Sequence, residues 1–188
     1  MSDDKITNEQ VSAEKPAAPV AEKPAAPIKV NPLEKIILEK FAGSVETGYN
    51  FGDLEIRIEH GRLSELCEFL IKDSNPVYDF LRNVTVVDYG DRFEMVYHLC
   101  AMSNYNNIII KATLDHGFPL IDSVTPYWRG ADWQEREIFD LMGIGFNRHP
   151  DLRRILLPDE WVGYPLRKDY KIVDQEVASW STACKPKN

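Results

Sequence analysis

Between Asn31 and Thr113 the apolar residues change period three times, and this alternation constrains the fold more than any other feature of the chain. Leu33, Ile36, Ile37 and Phe41 recur at helical spacing, with Asn31 as N-cap, Pro32 at the first helical position and Gly43 as the stop. Residues 45–49 and 54–58 then alternate on either side of a turn at 50–53, as the strands of a hairpin do. Leu63, Leu66, Cys67, Leu70 and Ile71 restore a helical stripe that ends before Pro76. Three more strand-like stretches, 83–88, 93–102 and 108–113, are joined by turn material around Gly90 and at 103–107. The order is therefore α-β-β-α-β-β-β. Its simplest packing is an α+β two-layer sandwich, an antiparallel sheet with helices on one face. The pattern leaves the strand order open.

On either side of residues 33–122 the character differs. In residues 1–32 the heptapeptide AEKPAAP occurs at 13–19 and again at 21–27, and five of the twelve prolines fall between Pro16 and Pro32. A tract of Pro, Ala and charge buries too little apolar area to offset its ordering entropy, so a disordered tail is expected there. Residues 123–175 are expected to form short helices and an extended arm that packs only partly on the sheet. Ser123 would cap a short helix containing Pro126, and Asp132 would cap a second one running to Met142 with Gly143 as its stop. Pro150, Pro158 and Pro165 then leave no room for a long regular element, and 176–188 reads as a flexible end.

Composition narrows the function classes. A net charge of −8 argues against nucleic acid as the main partner, because that affinity comes from neutralising many phosphates. Cys67, Cys100 and Cys184 lie too far apart for the CxxC spacing of zinc or iron–sulfur ligands, and so sparse a count fits a reducing compartment. No apolar run is long enough to span a bilayer, and the N-terminus is too polar for a signal peptide, so a cytoplasm-side protein is expected. Phosphate loops (GxGxxG, GxxxxGK[ST]), the HExxH zinc motif and the GxSxG elbow are all missing from the sequence.

The densest chemistry lies in residues 132–161, where seven acids and five bases accompany two tryptophans. Asp132–Arg136 and Arg136–Asp140 are both i,i+4 pairs, so one arginine is expected to bridge two acids along a helix edge. Glu135 and Glu137 lie two residues apart and diverge on a helix, which makes them a poor carboxylate dyad. His149 shares no ligand spacing with the other histidines, so a hydrogen-bonded structural role is expected. Trp128, Trp133 and Trp161 together with Arg129, Arg153 and Arg154 have the aromatic-plus-arginine makeup of interface cores. On chemistry alone this is an interaction protein without catalytic residues, with a free-standing hydrolase working through Glu135, Glu137 or His149 as the rival of another class.

ADWQ at 131–134, then Glu135, Arg136, Glu137 and Asp140, HPDLRRIL at 149–156 and PDEWVGYPLRKDY at 158–170, with Arg167, Lys168 and Asp169, carry a resemblance. Together they resemble the 30-kDa subunit of respiratory complex I, which is the C subunit of the bacterial NADH-quinone oxidoreductase and the J subunit of its chloroplast and cyanobacterial counterparts. The resemblance spans residues 33–172, is strongest from Trp128 onward, and leaves out the proline-rich tail. It implies a non-catalytic α+β subunit of the peripheral arm of a proton-pumping complex that passes electrons from NADH through FMN and iron–sulfur centres to a quinone. FMN, clusters and quinone would sit on other subunits. The C-terminal segment would extend across the 49-kDa subunit, the D subunit of bacteria, so membrane contact is indirect, on the cytoplasmic side of the inner membrane. The nearest alternative is the equivalent subunit of a related ferredoxin-, deazaflavin- or hydrogenase-linked membrane complex.

Overall fold

The computed structural model describes residues 31–171; the repeated heptapeptides and the end from residue 176 lie outside the described residues. Helix α1 (Leu33–Lys40) starts one residue later than expected, with Pro32 just ahead of it, but Asn31 still serves its first turn: Asn31 Oδ1 accepts from the Leu33 N–H at 3.0 Å, and the Asn31 carbonyl accepts from Glu34 N at 3.0 Å. Gly43, at φ +83°, ends the helical segment in the left-handed conformation that glycine adopts at little cost. Strands β1 (Val45–Asn50) and β2 (Asp53–Glu59) form the expected hairpin. A short 3-10 turn over His60–Arg62 leads into α2 (Leu63–Lys72), which buries Leu63, Leu66, Cys67, Phe69 and Leu70. The chain then makes β3 (Phe80–Asp88), β4 (Arg92–Ala101) and β5 (Asn106–Asp115); β3 and β5 are longer than their alternation alone predicts, and β4 keeps its expected length one residue earlier.

The sheet order is β1-β2-β5-β4-β3, and one pair departs from the expected all-antiparallel sheet: β2 and β5 run parallel, with Leu54 opposite Ile108 and Ile58 opposite Ala112. The reason is topological. Helix α2 carries the chain across to the far edge, two hairpins bring it back, and β5 arrives beside β2 pointing the same way. Parallel neighbours need a crossover of this kind.

Alternate residues of the three central strands face one core: Leu54, Ile56 and Ile58 of β2, Phe93, Met95, Tyr97 and Leu99 of β4, and Ile108, Ile110 and Leu114 of β5. They pack with Leu33, Ile37 and Phe41 of α1 and the buried stripe of α2. The opposite face is charged, with Glu55 bonded to Arg57 and to Lys111, each at 2.8 Å. Thus the two-layer expectation stands for α1 and α2.

Beyond β5 the structure corrects two local expectations. Residues 124–128 make a single turn closed by Tyr127 N and Trp128 N on the Val124 carbonyl, instead of a helix capped by Ser123. Helix α3 (Ala131–Met142) begins one residue before Asp132, with Gly130 ahead of it and no side-chain cap. Gly143 ends it at φ +68°, as its position predicts. Two short strands, β6 (Leu120–Asp122) and β7 (Gly145–Asn147), pair in parallel across α3. Helix α3 lies along the outer edge of β3, where the Gln134 side-chain oxygen accepts the Val84 N–H and so closes part of an open strand edge.

Candidate functional site

From Arg148 to Lys171 the chain has no regular element, yet three residues of α3, Arg136, Asp140 and Leu141, bind its backbone. Asp140 is the hub. Its Oδ2 accepts the successive N–H groups of Ile155, Leu156 and Leu157 at 3.0, 2.7 and 2.8 Å, while Oδ1 takes the Arg154 guanidinium at 2.7 Å. Arg154 also donates to the Trp161 carbonyl at 3.1 Å, which closes the loop between them. One turn earlier on the helix, Arg136 donates to the carbonyls of Arg153 and Arg154 at 3.1 and 3.2 Å. Acid and base one turn apart thus hold the two kinds of backbone group of residues 153–157. Burial alone would raise the Asp140 carboxyl, but the three backbone donors and Arg154 outweigh it and hold the carboxyl below its ordinary value.

Arg167 closes the other end. It donates to the Met142 carbonyl at 2.6 Å and the Gly143 carbonyl at 3.1 Å, satisfying C-terminal groups of α3 with a cation where the helix dipole favours one. Leu166 N bonds the Leu141 carbonyl at 3.1 Å, and the Tyr164 ring lies so near Gly143 that a Cβ there would run into it. Farther along, Lys168 N donates to Asp88 Oδ2 at 2.9 Å and ties the arm to the end of β3. Arginine and tyrosine faces stack through this region, with Arg167 4.8 Å and Arg154 5.8 Å from the Tyr164 ring centre.

These contacts correct the reading of Arg136 as a bridge between Asp132 and Asp140. The two acids are i,i+4 neighbours of Arg136 by sequence, but the arm supplies backbone carbonyls that take its guanidinium instead. Asp132 faces His149, whose ring is fully buried. His149 Nδ1 accepts from Asp151 N at 3.1 Å, so the other nitrogen carries the proton and points at the Asp132 carbonyl at 3.3 Å. The same nitrogen lies 3.4 Å from Asp132 Oδ1 and 3.9 Å from Glu135 Oε2. Two backbone groups, the Asp151 N–H and the Asp132 carbonyl, thus orient His149.

Glu135 and Glu137 diverge as the helix requires: Glu135 is fully buried and Glu137 exposed. Glu135 accepts from Ser123 Oγ at 2.7 Å and Val124 N at 2.8 Å, which fastens the 123–128 turn to α3. Burial nevertheless pushes its carboxyl up to about 7. The Cys67 thiol is likewise pushed up by burial, which makes it an inert packing group.

The three tryptophans part company. Trp128 is core, its indole N–H donating to the Tyr78 carbonyl at 3.0 Å; Trp161 is half-buried against the arm; Trp133 is 63% exposed beside Arg136. Only Trp133 is therefore presented outward as an anchor. Arg153 pairs locally with Asp151 at 2.8 Å, and Asp169 is exposed. With the backbone held, Leu156, Val162 and Leu166 stand in solvent, Val162 at 71% exposure. Sequence reasoning missed Ser123 as a partner of Glu135, Asp88 as a tie for Lys168, and Tyr164 as a plate over Gly143. Only Gly143 carried a signal, since a glycine after a helix also permits close approach by another group. Among the described residues no group of three or more His, Cys, Asp and Glu side chains is placed to hold a metal ion.

The model of the family described as "Respiratory-chain NADH dehydrogenase, 30 Kd subunit" matches residues 56–176. The NADH-quinone oxidoreductase C subunit of Geobacter metallireducens is 42% identical over 139 residues, 71% of this chain and 85% of that protein. The C subunit of Roseiflexus sp. is 42% identical over 130 residues, covering 68% and 75%. Among solved structures, the trypsin-resistant fragment of Nqo5 matches with a TM-score of 0.54 and 26% identity, covering 64% of this chain and 98% of the fragment. A chain of the membrane-bound sulfane sulfur reductase, an archaeal respiratory membrane complex, matches with a TM-score of 0.65 over 79% of this chain and 89% of its own length. Its 22% identity makes that a likeness of fold.

Proposed function

The chain belongs to the family of 30-kDa subunits of respiratory-chain NADH dehydrogenase, and on that premise we propose that it is a non-catalytic structural subunit in the peripheral arm of a proton-pumping NADH-quinone oxidoreductase. In this reading FMN, iron–sulfur clusters and quinone are held by other subunits, and the complex lies on the cytoplasmic side of the inner membrane. The arm over residues 148–171 docks on the 49-kDa-type subunit. One observation carries the proposal: buried side chains of α3 pin the arm backbone and leave Leu156, Val162 and Leu166 facing outward. A segment already held in one conformation loses less entropy on binding than a flexible one, so its apolar side chains contribute more of their burial to affinity.

The likeness in fold to a chain of an archaeal membrane reductase favours one second reading, the equivalent subunit of a related membrane complex with another electron donor. Both are tested by affinity purification of the tagged chain from detergent-solubilised membranes, with mass spectrometry of what accompanies it. The proposal expects the 49-kDa-type subunit together with NADH- and FMN-binding subunits. The second reading expects the 49-kDa-type homologue with a different donor module. Recovery of the chain alone, from the soluble fraction, contradicts both.

A further inference from the structure

At one end of the sheet two exposed aromatic residues adopt backbone conformations that favour glycine. Phe51, at the tip of the β1–β2 hairpin, has φ +51°, and Tyr105, in the β4–β5 turn, has φ +56°. Each lies three residues before the first pair of the parallel ladder, Leu54 opposite Ile108, so the register brings the two turns side by side. Non-glycine residues in the left-handed region are uncommon, and strain of this kind gathers where a surface has a task. Between the turns lies a cleft of about 480 Å³ lined by Asn31, Gly52, Asp53, Tyr105 and Asn107 among others.

The chain itself supplies an occupant. Residues 22–30, EKPAAPIKV, run directly into Asn31, which lines the cleft and whose side-chain amide donates to Asn106 Oδ1 at 3.4 Å. Pro24 and Pro27 are spaced by three. Three residues make one turn of a polyproline II helix, so that spacing sets both rings on one ridge. At about 3.1 Å per residue, a polyproline II path would put Pro27 about 12 Å along the chain from Asn31, a span that could reach the adjoining Tyr105 turn. Recognition of such a helix needs aromatic faces for the rings and side-chain donors for backbone carbonyls that have no internal partner. Tyr105 offers one face in the lining of the cleft, and the fully exposed Phe51 ring at the adjoining hairpin tip, outside that lining, offers a second. Asn104 and Asn107 use their Oδ1 atoms as acceptors for Asn106 N and Arg82, which leaves their amide N–H groups to donate. Asp53 supplies a carboxylate of the sign that Lys23 and Lys29 need.

We propose that the Phe51/Tyr105 end of the sheet binds the chain's own residues 22–30 as a polyproline II strap. The first copy of the repeat, residues 13–19, is the same heptapeptide farther from the cleft, and it remains unbound. That gives an internal control. In the full isotope-labelled chain, the amide resonances of Ala17 and Ala25, and of Ala18 and Ala26, share the same local sequence and would coincide if both copies were solvated. The strap predicts that Ala25 and Ala26 are displaced from Ala17 and Ala18, with slower local motion. The displacement should collapse in Tyr105→Ala and also in Phe51→Gly, which removes a ring while easing the backbone. Coincident resonances in the unaltered chain, or a displacement that survives both variants, overturn the proposal; the first result would leave this aromatic end to a different chain.

Discussion

Asp140 accepts four hydrogen bonds through one buried carboxylate, three from consecutive backbone N–H groups and one from Arg154. Removing its charge leaves Arg154 without its partner, and breaking a buried pair costs about 3–5 kcal/mol. Asp140→Asn is therefore expected to lower unfolding free energy by about 3 kcal/mol in urea titrations. Arg136→Ala should cost less, about 1–2 kcal/mol, because it strips donors from two part-buried carbonyls and not from two acids. Glu135 carries a pH signature of opposite sign to that of Asp140. Its folded value of about 7 lies above the ordinary 4.5, so the stability linked to its proton is complete below 4.5 and is lost as pH rises through 7. That gap is worth about 3 kcal/mol at most. Asp140, held below its ordinary value, contributes stability above the usual carboxylate range and loses it as pH falls through the lowered value. Thermal unfolding between about pH 5 and pH 8 should show falling stability in the unaltered chain and a flatter profile in Glu135→Gln.

At the scale of elements, periodicity is enough for α1, α2 and all five strands of the main sheet, because each buries one face and the spacing of Leu, Ile and Phe reports it. What periodicity cannot report is which strands become neighbours. The parallel β2–β5 pair follows from the path of α2, and no residue in either strand announces it. The same limit applies to the arm. Proline breaks at 150, 158 and 165 show that residues 148–171 are irregular, but their fastening to α3 rests on backbone groups, which have no sequence code. Side-chain spacing misleads at Arg136 for that reason: it offers two acids, and folding offers two carbonyls. Gly143 tests the element joint. Gly143→Ala places a Cβ against the Tyr164 ring at a φ of +68°, so it should cost more than the roughly 1–2 kcal/mol of a left-handed alanine. In a Tyr164→Ala background the cost should fall to about that range, as read by a double-mutant cycle in urea.

For the whole molecule, the signature block proves to be mostly internal structure. Glu135, Arg136, Asp140, His149, Arg154 and Arg167 hold the chain to itself, and the large apolar side chains left exposed are Trp133, Leu156, Val162 and Leu166, beside charged Glu137, Arg153, Lys168 and Asp169. Family membership is legible in that block because a buried network tolerates few replacements. The face shown to a partner is not, since exposure depends on which residues the network has already used. Deleting residues 1–30 removes none of the residues that pin the arm to α3, so the complex should still assemble at its normal yield, as judged on native gels. The most direct measurement is a photo-crosslinker in place of Val162 or Leu166 in the assembled membrane complex, followed by identification of the attached protein. Attachment to the 49-kDa-type subunit is expected from both positions. Crosslinks confined to the chain itself, or none from an intact complex, would contradict the claim that the pinned arm is the joint.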